Sequence, residues 1–320
     1  MMLQENDLQK AALKILKKCM GLAKKDSCLI VFDENKKSIA DALFKAASGI
    51  SKAKLLQIPV GKQHGEEPPL HAAKEMLKHS IIMIATTKSL SHTKARRNAT
   101  KKGARLASMP GINDDMFLRA ASVNYSKISE RSKKLISFLK NKKIVKIKTK
   151  LGTNIALNIK NRQLHGDVAG LYIKKGTWGN IPAGEVSLSP NEGKSNGVFI
   201  VDASILGKVD KPVRITVKNG FAVKIEGGKT TLKLKKELEK IKNKNAYNIA
   251  ELGIGMNDKA KIIGNVLEDE KVFGTAHIAL GNNASYGGKV NVPVHLDGVF
   301  KRPTIEVDGK VIMKNGKLLI

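Results

Sequence analysis

The sequence predicts an α/β protein in two parts: an N-terminal Rossmann-like parallel α/β domain over residues 1–140, then a β-rich α+β domain over 141–320. Three observations predict it. Helix-period and strand-like apolar patterns alternate through the first 140 residues, and beyond about residue 143 short β-branched runs alternate with Gly and Asn turns. The length of 320 residues, at roughly 150 per domain, suits two domains. Strands separated by helices pair in parallel, because each helical crossover carries the chain back to start the next strand at the same end of the sheet.

Each element has its own signature. Leu8, Ala11, Ala12, Ile15, Leu16 and Cys19 recur at helical spacing, and Cys28-Leu29-Ile30-Val31-Phe32 is an apolar run of strand length. A helix is expected over 38–47, a strand over 55–60, and a helix opened by Pro68-Pro69, since a first helical turn leaves the N–H that proline lacks without a partner anyway. A strand over 81–85, a helix over 93–102, a short strand over 104–107 and the turn Met109-Pro110-Gly111 complete the first part. Neither GxGxxG nor GxxxxGK[ST] occurs, so the layout carries no nucleotide signature. Between Lys133 and Lys150 stand eight lysines and no acid, with Val145, Ile147 and Thr149 alternating with Lys146, Lys148 and Lys150 as on a strand with one wet face. The domain boundary is expected in this stretch, between Leu139 and Lys143. Further strands are expected over 154–159, 197–201, 213–217, 221–225, 304–307 and 310–313, with hairpin turns at Asn219-Gly220 and Asp308-Gly309 and one helix over 231–242.

Composition excludes several classes. Hydrophobic residues at 42% are too many for a disordered chain, and no apolar run approaches the roughly 18 residues of a membrane span. The first ten residues are polar, without a signal-peptide core, and Cys19 and Cys28 have neither zinc-finger nor disulfide-framework spacing. The expectation is a cytoplasmic protein with no membrane partner. The formal charge of +30 raises nonspecific nucleic-acid binding, but only eight of the 58 basic residues are arginines and aromatics are 4%, so lysine-solvated surfaces explain it better.

Ionisable residues in apolar, Gly-flanked runs are the chemical signal. His295-Leu296-Asp297 puts an imidazole and a carboxylate on one strand face, between Val292-Pro293-Val294 and Gly298-Val299-Phe300, which read as a buried strand ending in a turn. His165-Gly166-Asp167 repeats the spacing in a loop-like context, and His64, His71, His79 and His165 read as surface or capping histidines. Gly274-Thr275-Ala276-His277-Ile278-Ala279-Leu280-Gly281, Asn248-Ile249-Ala250-Glu251-Leu252-Gly253-Ile254-Gly255 and Ile181-Pro182-Ala183-Gly184-Glu185 each bury one ionisable group where an unpaired charge would be costly. Two Glu, one Asp and two His form a mixed N/O donor set suited to a pair of Zn, Co or Mn ions, with Tyr286 close in sequence.

The order and wording of these blocks resemble the metalloaminopeptidases that include aminopeptidase T, aminopeptidase S and aminopeptidase II, over roughly residues 165–300. The resemblance implies Glu185, Glu251, His277, His295 and Asp297 as ligands of two divalent ions, Tyr286 as a catalytic side chain, hydrolysis of N-terminal residues from peptides, and a homodimer. On that mechanism Glu251 is expected to bridge the ions and Glu185 to serve as terminal ligand or proton shuttle. Trp178 reads either as a wall of the side-chain pocket or as a core tryptophan, and His92 as an acid/base group reaching the cleft from the first domain. The segments Thr86 to Arg96 and Gly103 to Gly111 look like a block of shorter relatives, among them ring-cleaving dihydroxypyridine dioxygenases with mononuclear Fe(II). His277, His295 and Asp297 alone make the 2-His-1-carboxylate set of such oxygenases, which is the alternative reading.

Overall fold

The computed structural model describes residues 2–166 and 169–320, so Asp167 of the His165-Gly166-Asp167 repeat lies outside the described residues. It is an α/β protein with one parallel and two antiparallel sheets, in two compact units. The first unit takes the chain to Ser129 and adds a returning stretch that ends at Ala183; the second holds Glu130 onward and Gly184–Ile320.

In the first unit five parallel strands lie in the order Lys52–Gln57, Ser27–Phe32, Ile81–Ala85, Arg105–Ser108, Trp178–Asn180. Ile81–Ala85 is buried along its whole length, as is Ser27–Phe32 from Cys28 on, which is why they read as unbroken apolar runs. Leu29, Val31, Ile82, Ile84 and Leu106 enter one apolar cluster with Ala72 and Met76 of the helix Leu70–Met76 and Ala95 and Ala99 of the helix Lys94–Lys101. The periodic residues Leu8, Ala11, Ala12, Ile15 and Leu16 of the helix Met2–Lys18 are all buried. Pro69 caps Leu70–Met76, and Gly111 of the expected turn has φ +67°. The strand Trp178–Asn180 was absent from the sequence expectation; three residues are too few to show a period.

The second unit contains an eight-stranded antiparallel sheet and the five-stranded antiparallel sheet that carries the site. In the larger sheet, Val145 and Ile147 are buried and Lys146 and Lys148 exposed, the one-wet-face pattern of the sequence. Asn219-Gly220 joins Val213–Lys218 to Phe221–Glu226 and Asp308-Gly309 joins Thr304–Val307 to Lys310–Lys314, with positive φ at all four turn residues as a primed hairpin turn needs. The smaller sheet runs His295–Lys301, Thr275–Gly281, Ile249–Gly255, Glu185–Leu188, Leu164–His165. Gly298-Val299-Phe300 is a correction to the sequence reading: it is mid-strand, not a turn. Gly298 is there because a Cβ would stand 2.6 Å from Val201 Cγ2. Among the described residues no helix is long and apolar enough to cross a membrane.

Candidate metal centre

Strand register explains how the site is assembled. In Thr275–Gly281, His277, Ala279 and Gly281 alternate onto one face. Their partners are Gly253 and Val299 for His277, Glu251 and Asp297 for Ala279, and His295 for Gly281; Gly255 pairs Glu185. Every ionisable group on this face therefore stands across from Gly or Ala on at least one side, which gives the large side chains room to lean together. At Gly253 the requirement is strict: a Cβ would sit 2.0 Å from His277 Cε1 and 2.1 Å from Nε2. Gly253 is thus the space into which the His277 ring fits, whereas Gly255 and Gly281 admit the close approach of the Val272 and Val294 carbonyls.

All five expected ligands converge. His277 Nε2 is 3.6 Å from Glu185 Oε2, 3.9 Å from Glu251 Oε1 and 4.0 Å from Asp297 Oδ1. His295 Nε2 is 3.0 Å from Glu251 Oε2 and 3.3 Å from Asp297 Oδ1. His277 is 0% and Glu251 2% exposed. Yet Glu185 Oε2, His277 Nε2, His295 Nε2 and Asp297 Oδ1 are buried without a hydrogen bond of good geometry. Buried polar atoms left in this way are rare and costly. Asp297 Oδ1 lies within 4.0 Å of both ring nitrogens and Glu185 Oε2 is beside that of His277, a mixed N/O set that suits a divalent ion. His295 Nδ1 lies 2.7 Å from the Asn282 carbonyl. In the neutral ring Nδ1–H donates there, which turns the Nε2 lone pair to the centre.

Without an ion the carboxylates act on the imidazoles. Burial opposes the imidazolium of His277, but Glu251, Glu185 and Asp297 outweigh it and lift the ring to about 9; His295 is also raised, burial being overcome by Asp297 and Glu251. Burial and the same carboxylates raise Tyr286, which therefore stays a phenol. Tyr286 stacks on His295, with ring centroids 5.4 Å apart and planes 18° off parallel, and His165 meets Tyr286 edge-on at 5.8 Å.

Three contributors escaped the sequence reading. Glu270 and Lys271 stand in the run Leu267-Glu268-Asp269-Glu270-Lys271, which looks like a solvated helix end, yet Lys271 is 1% exposed and bonds both Glu185 and Glu270. His165, set aside as a surface residue, packs beside Tyr286; the strand Leu164–His165 that places it is two residues long and leaves no pattern. Trp178 and His92 belong to the first unit. There the His92 ring meets Trp178 edge-on at 6.0 Å, and the Arg96 guanidinium covers Trp178 at 3.7 Å.

Comparison with known proteins adds four findings. The family model of 2,5-dihydroxypyridine 5,6-dioxygenase matches residues 7–320. A 2,5-dihydroxypyridine 5,6-dioxygenase of Pseudomonas putida KT2440 is 23% identical over 167 residues, 47% of each chain, so the match spans about half the length of that relative. The structure of 2,5-dihydroxypyridine dioxygenase from the same organism aligns with TM-score 0.85 at 18% identity, covering 98% of this chain and 97% of that one. Wild-type AmpT (aminopeptidase T) from Thermus thermophilus aligns with TM-score 0.72 at 15% identity, covering 98% and 99%. At these identities the two structures share the fold with this chain.

Proposed function

Because this chain belongs to the 2,5-dihydroxypyridine 5,6-dioxygenase family, we propose that it is a ring-cleaving dioxygenase holding one Fe(II) on His277, His295 and Asp297 and acting on a dihydroxylated pyridine. The observation that carries this reading is the meeting of two imidazole nitrogens and one carboxylate oxygen, buried and without hydrogen-bond partners, on adjacent strands. Two histidines and one carboxylate are the donor set of non-haem iron oxygenases. A bound Fe(II) supplies redox chemistry and open positions for substrate and dioxygen. The chain's own residues do the rest. Asn282 holds the tautomer of His295, Glu251 keeps a negative charge beside both imidazoles, and the Tyr286 phenol can donate a hydrogen bond to a substrate oxygen. Both atoms of O₂ enter the product as the ring bond breaks, so no external reductant is consumed.

The test is oxygen uptake by protein reconstituted anaerobically with Fe(II) and given 2,5-dihydroxypyridine. Equimolar loss of O₂ and substrate is expected, abolished by chelator and by Asp297→Ala. No uptake by protein carrying its iron overturns the proposal.

A second reading, a metalloaminopeptidase with two Zn, Co or Mn ions, is supported by the approach of Glu185 and Glu251 to His277 Nε2 and by the fold shared with AmpT. It requires two ions per chain and chelator-sensitive hydrolysis of Leu-p-nitroanilide. One iron per chain and no such hydrolysis dismiss it.

A further inference from the structure

Two clusters of ligand atoms, not one, stand at the site sheet. Glu251, His277 and Asp297 offer ligand atoms within 4.8 Å of one another, and so do Glu185, Glu270 and His277; the two sets share His277. The second place already has a cation. Lys271 Nζ bonds Oε1 of Glu185 and Oε1 of Glu270, and its side chain is 2% exposed. Its backbone is fixed on both sides: Lys271 N–H donates to Glu268 O at 2.9 Å, and its carbonyl accepts from Asn257 N at 2.8 Å. The following residue, Val272, presses on the site strand so closely that a Cβ on Gly255 would stand 2.0 Å from Val272 O. The ammonium is therefore delivered to one spot by a rigid segment rather than by a free surface lysine.

We propose that Lys271 is a built-in cation that occupies the Glu185–Glu270 place and so limits the centre to one metal ion. The proposal rests on the reading of His277, His295 and Asp297 as a metal site and adds what sets the number of ions. A dication entering between Glu185 and Glu270 has to displace the ammonium, which is then buried without its counter-charges, an arrangement that proteins strongly disfavour. With the lysine side chain removed, the same place offers the two carboxylates of Glu185 and Glu270, which Mn, Co or Zn accepts; the His277 Nε2 lone pair serves one of the two ions, and Glu251 stands beside His295 and Asp297 to complete the other. One lysine then separates a single-metal from a two-metal centre on one sheet.

The experiment counts Co(II) bound to full-length protein stripped with chelator and dialysed against Co(II), by elemental analysis and the visible spectrum of the bound ion. One ion is expected for the wild type and for Lys271→Arg, which keeps the charge, and two for Lys271→Ala. Metal-free Lys271→Ala is expected to melt well below the wild type and to recover in Co(II), since the second ion replaces the missing ammonium. If Lys271→Ala takes one ion, or does not fold even in Co(II), the proposal fails while the single-metal reading stands. Two ions on the wild type overturn both the proposal and the single-metal reading. No ion on the wild type removes the metal site itself, and the proposal with it.

Discussion

Gly253 and His277 face each other across a strand pair, and the absence of one side chain makes room for the other. In Gly253→Ala the new methyl group meets the ring at 2.0 Å, and the ring is itself fully buried. The imidazole has to leave its position, at a cost of about 1–3 kcal/mol for such overpacking. The expected outcome is a folded protein, by circular dichroism, with metal affinity down by at least about tenfold; unchanged affinity shows that His277 is no ligand. Tyr286→Phe keeps the ring stacked on His295 and removes only the hydroxyl. Turnover is expected to fall with metal content unchanged, and an unchanged rate takes the phenol out of the mechanism. The His277 ring also sets a pH dependence. Its folded-state value of about 9 stands above the ordinary 6.5, so the metal-free fold draws stability from the imidazolium fully below about 6.5 and loses it as pH rises through about 9. A metal needs the neutral ring, so the melting-temperature gain from added metal is expected to grow over that window, and a flat gain sinks the assignment.

Among elements, the helix Lys94–Lys101 shows how local rules and tertiary contacts share the work. It has eight residues, too few to persist alone in water, and is held by Ala95 and Ala99 in the sheet cluster and by the Thr93 cap. Thr93 Oγ1 accepts from Arg96 N at 3.2 Å and donates to Leu90 O at 2.8 Å, and the residue is fully buried. Thr93→Ala is expected to cost about 1–2 kcal/mol, read as a lower urea midpoint with the slope unchanged. The same division governs what could be read from the chain. The runs at 28–32 and 81–85, the Asn219-Gly220 and Asp308-Gly309 turns and the wet-faced strand near Val145 depend on local period and turn chemistry, and all were legible. So were the five candidate ligands, because a charge inside an apolar, Gly-flanked run is anomalous wherever it lies. Lys271, Glu270 and the pairing of Trp178–Asn180 with Arg105–Ser108 were not legible. Their roles are set by partners far away in sequence, and the residues themselves look like ordinary surface or loop.

On the scale of the whole molecule the charge of +30 is the dominant fact, and the structure shows which basic residues can express it. Arg96 is stacked on Trp178 and bonds the Ser91 carbonyl; Arg105 bonds Asp26 and the Met20 carbonyl; Arg131 bonds the Met256 carbonyl; Arg162 bonds the Ser189 carbonyl. Half of the eight arginines are thus committed to internal contacts, and the planar forks that clamp phosphates or read base edges are in short supply. Lysines provide most of the outer charge, and lysine attraction to nucleic acid is a counterion-release effect without sequence preference. A fluorescent single-stranded oligonucleotide is therefore expected to bind at about 20 mM salt, whatever its sequence, and to be released by about 200 mM, because a contact with several phosphates loses about 10³-fold or more over such a range. The same charge repels itself within the fold, so the melting temperature is expected to rise as salt is added over that interval and screening shortens to about 8 Å. Binding that survives 200 mM salt and prefers one sequence identifies a dedicated interface and returns nucleic acid to the candidate partners. Release together with a rising melting temperature leaves the exposed lysines as a solvating coat, apart from the buried Lys271.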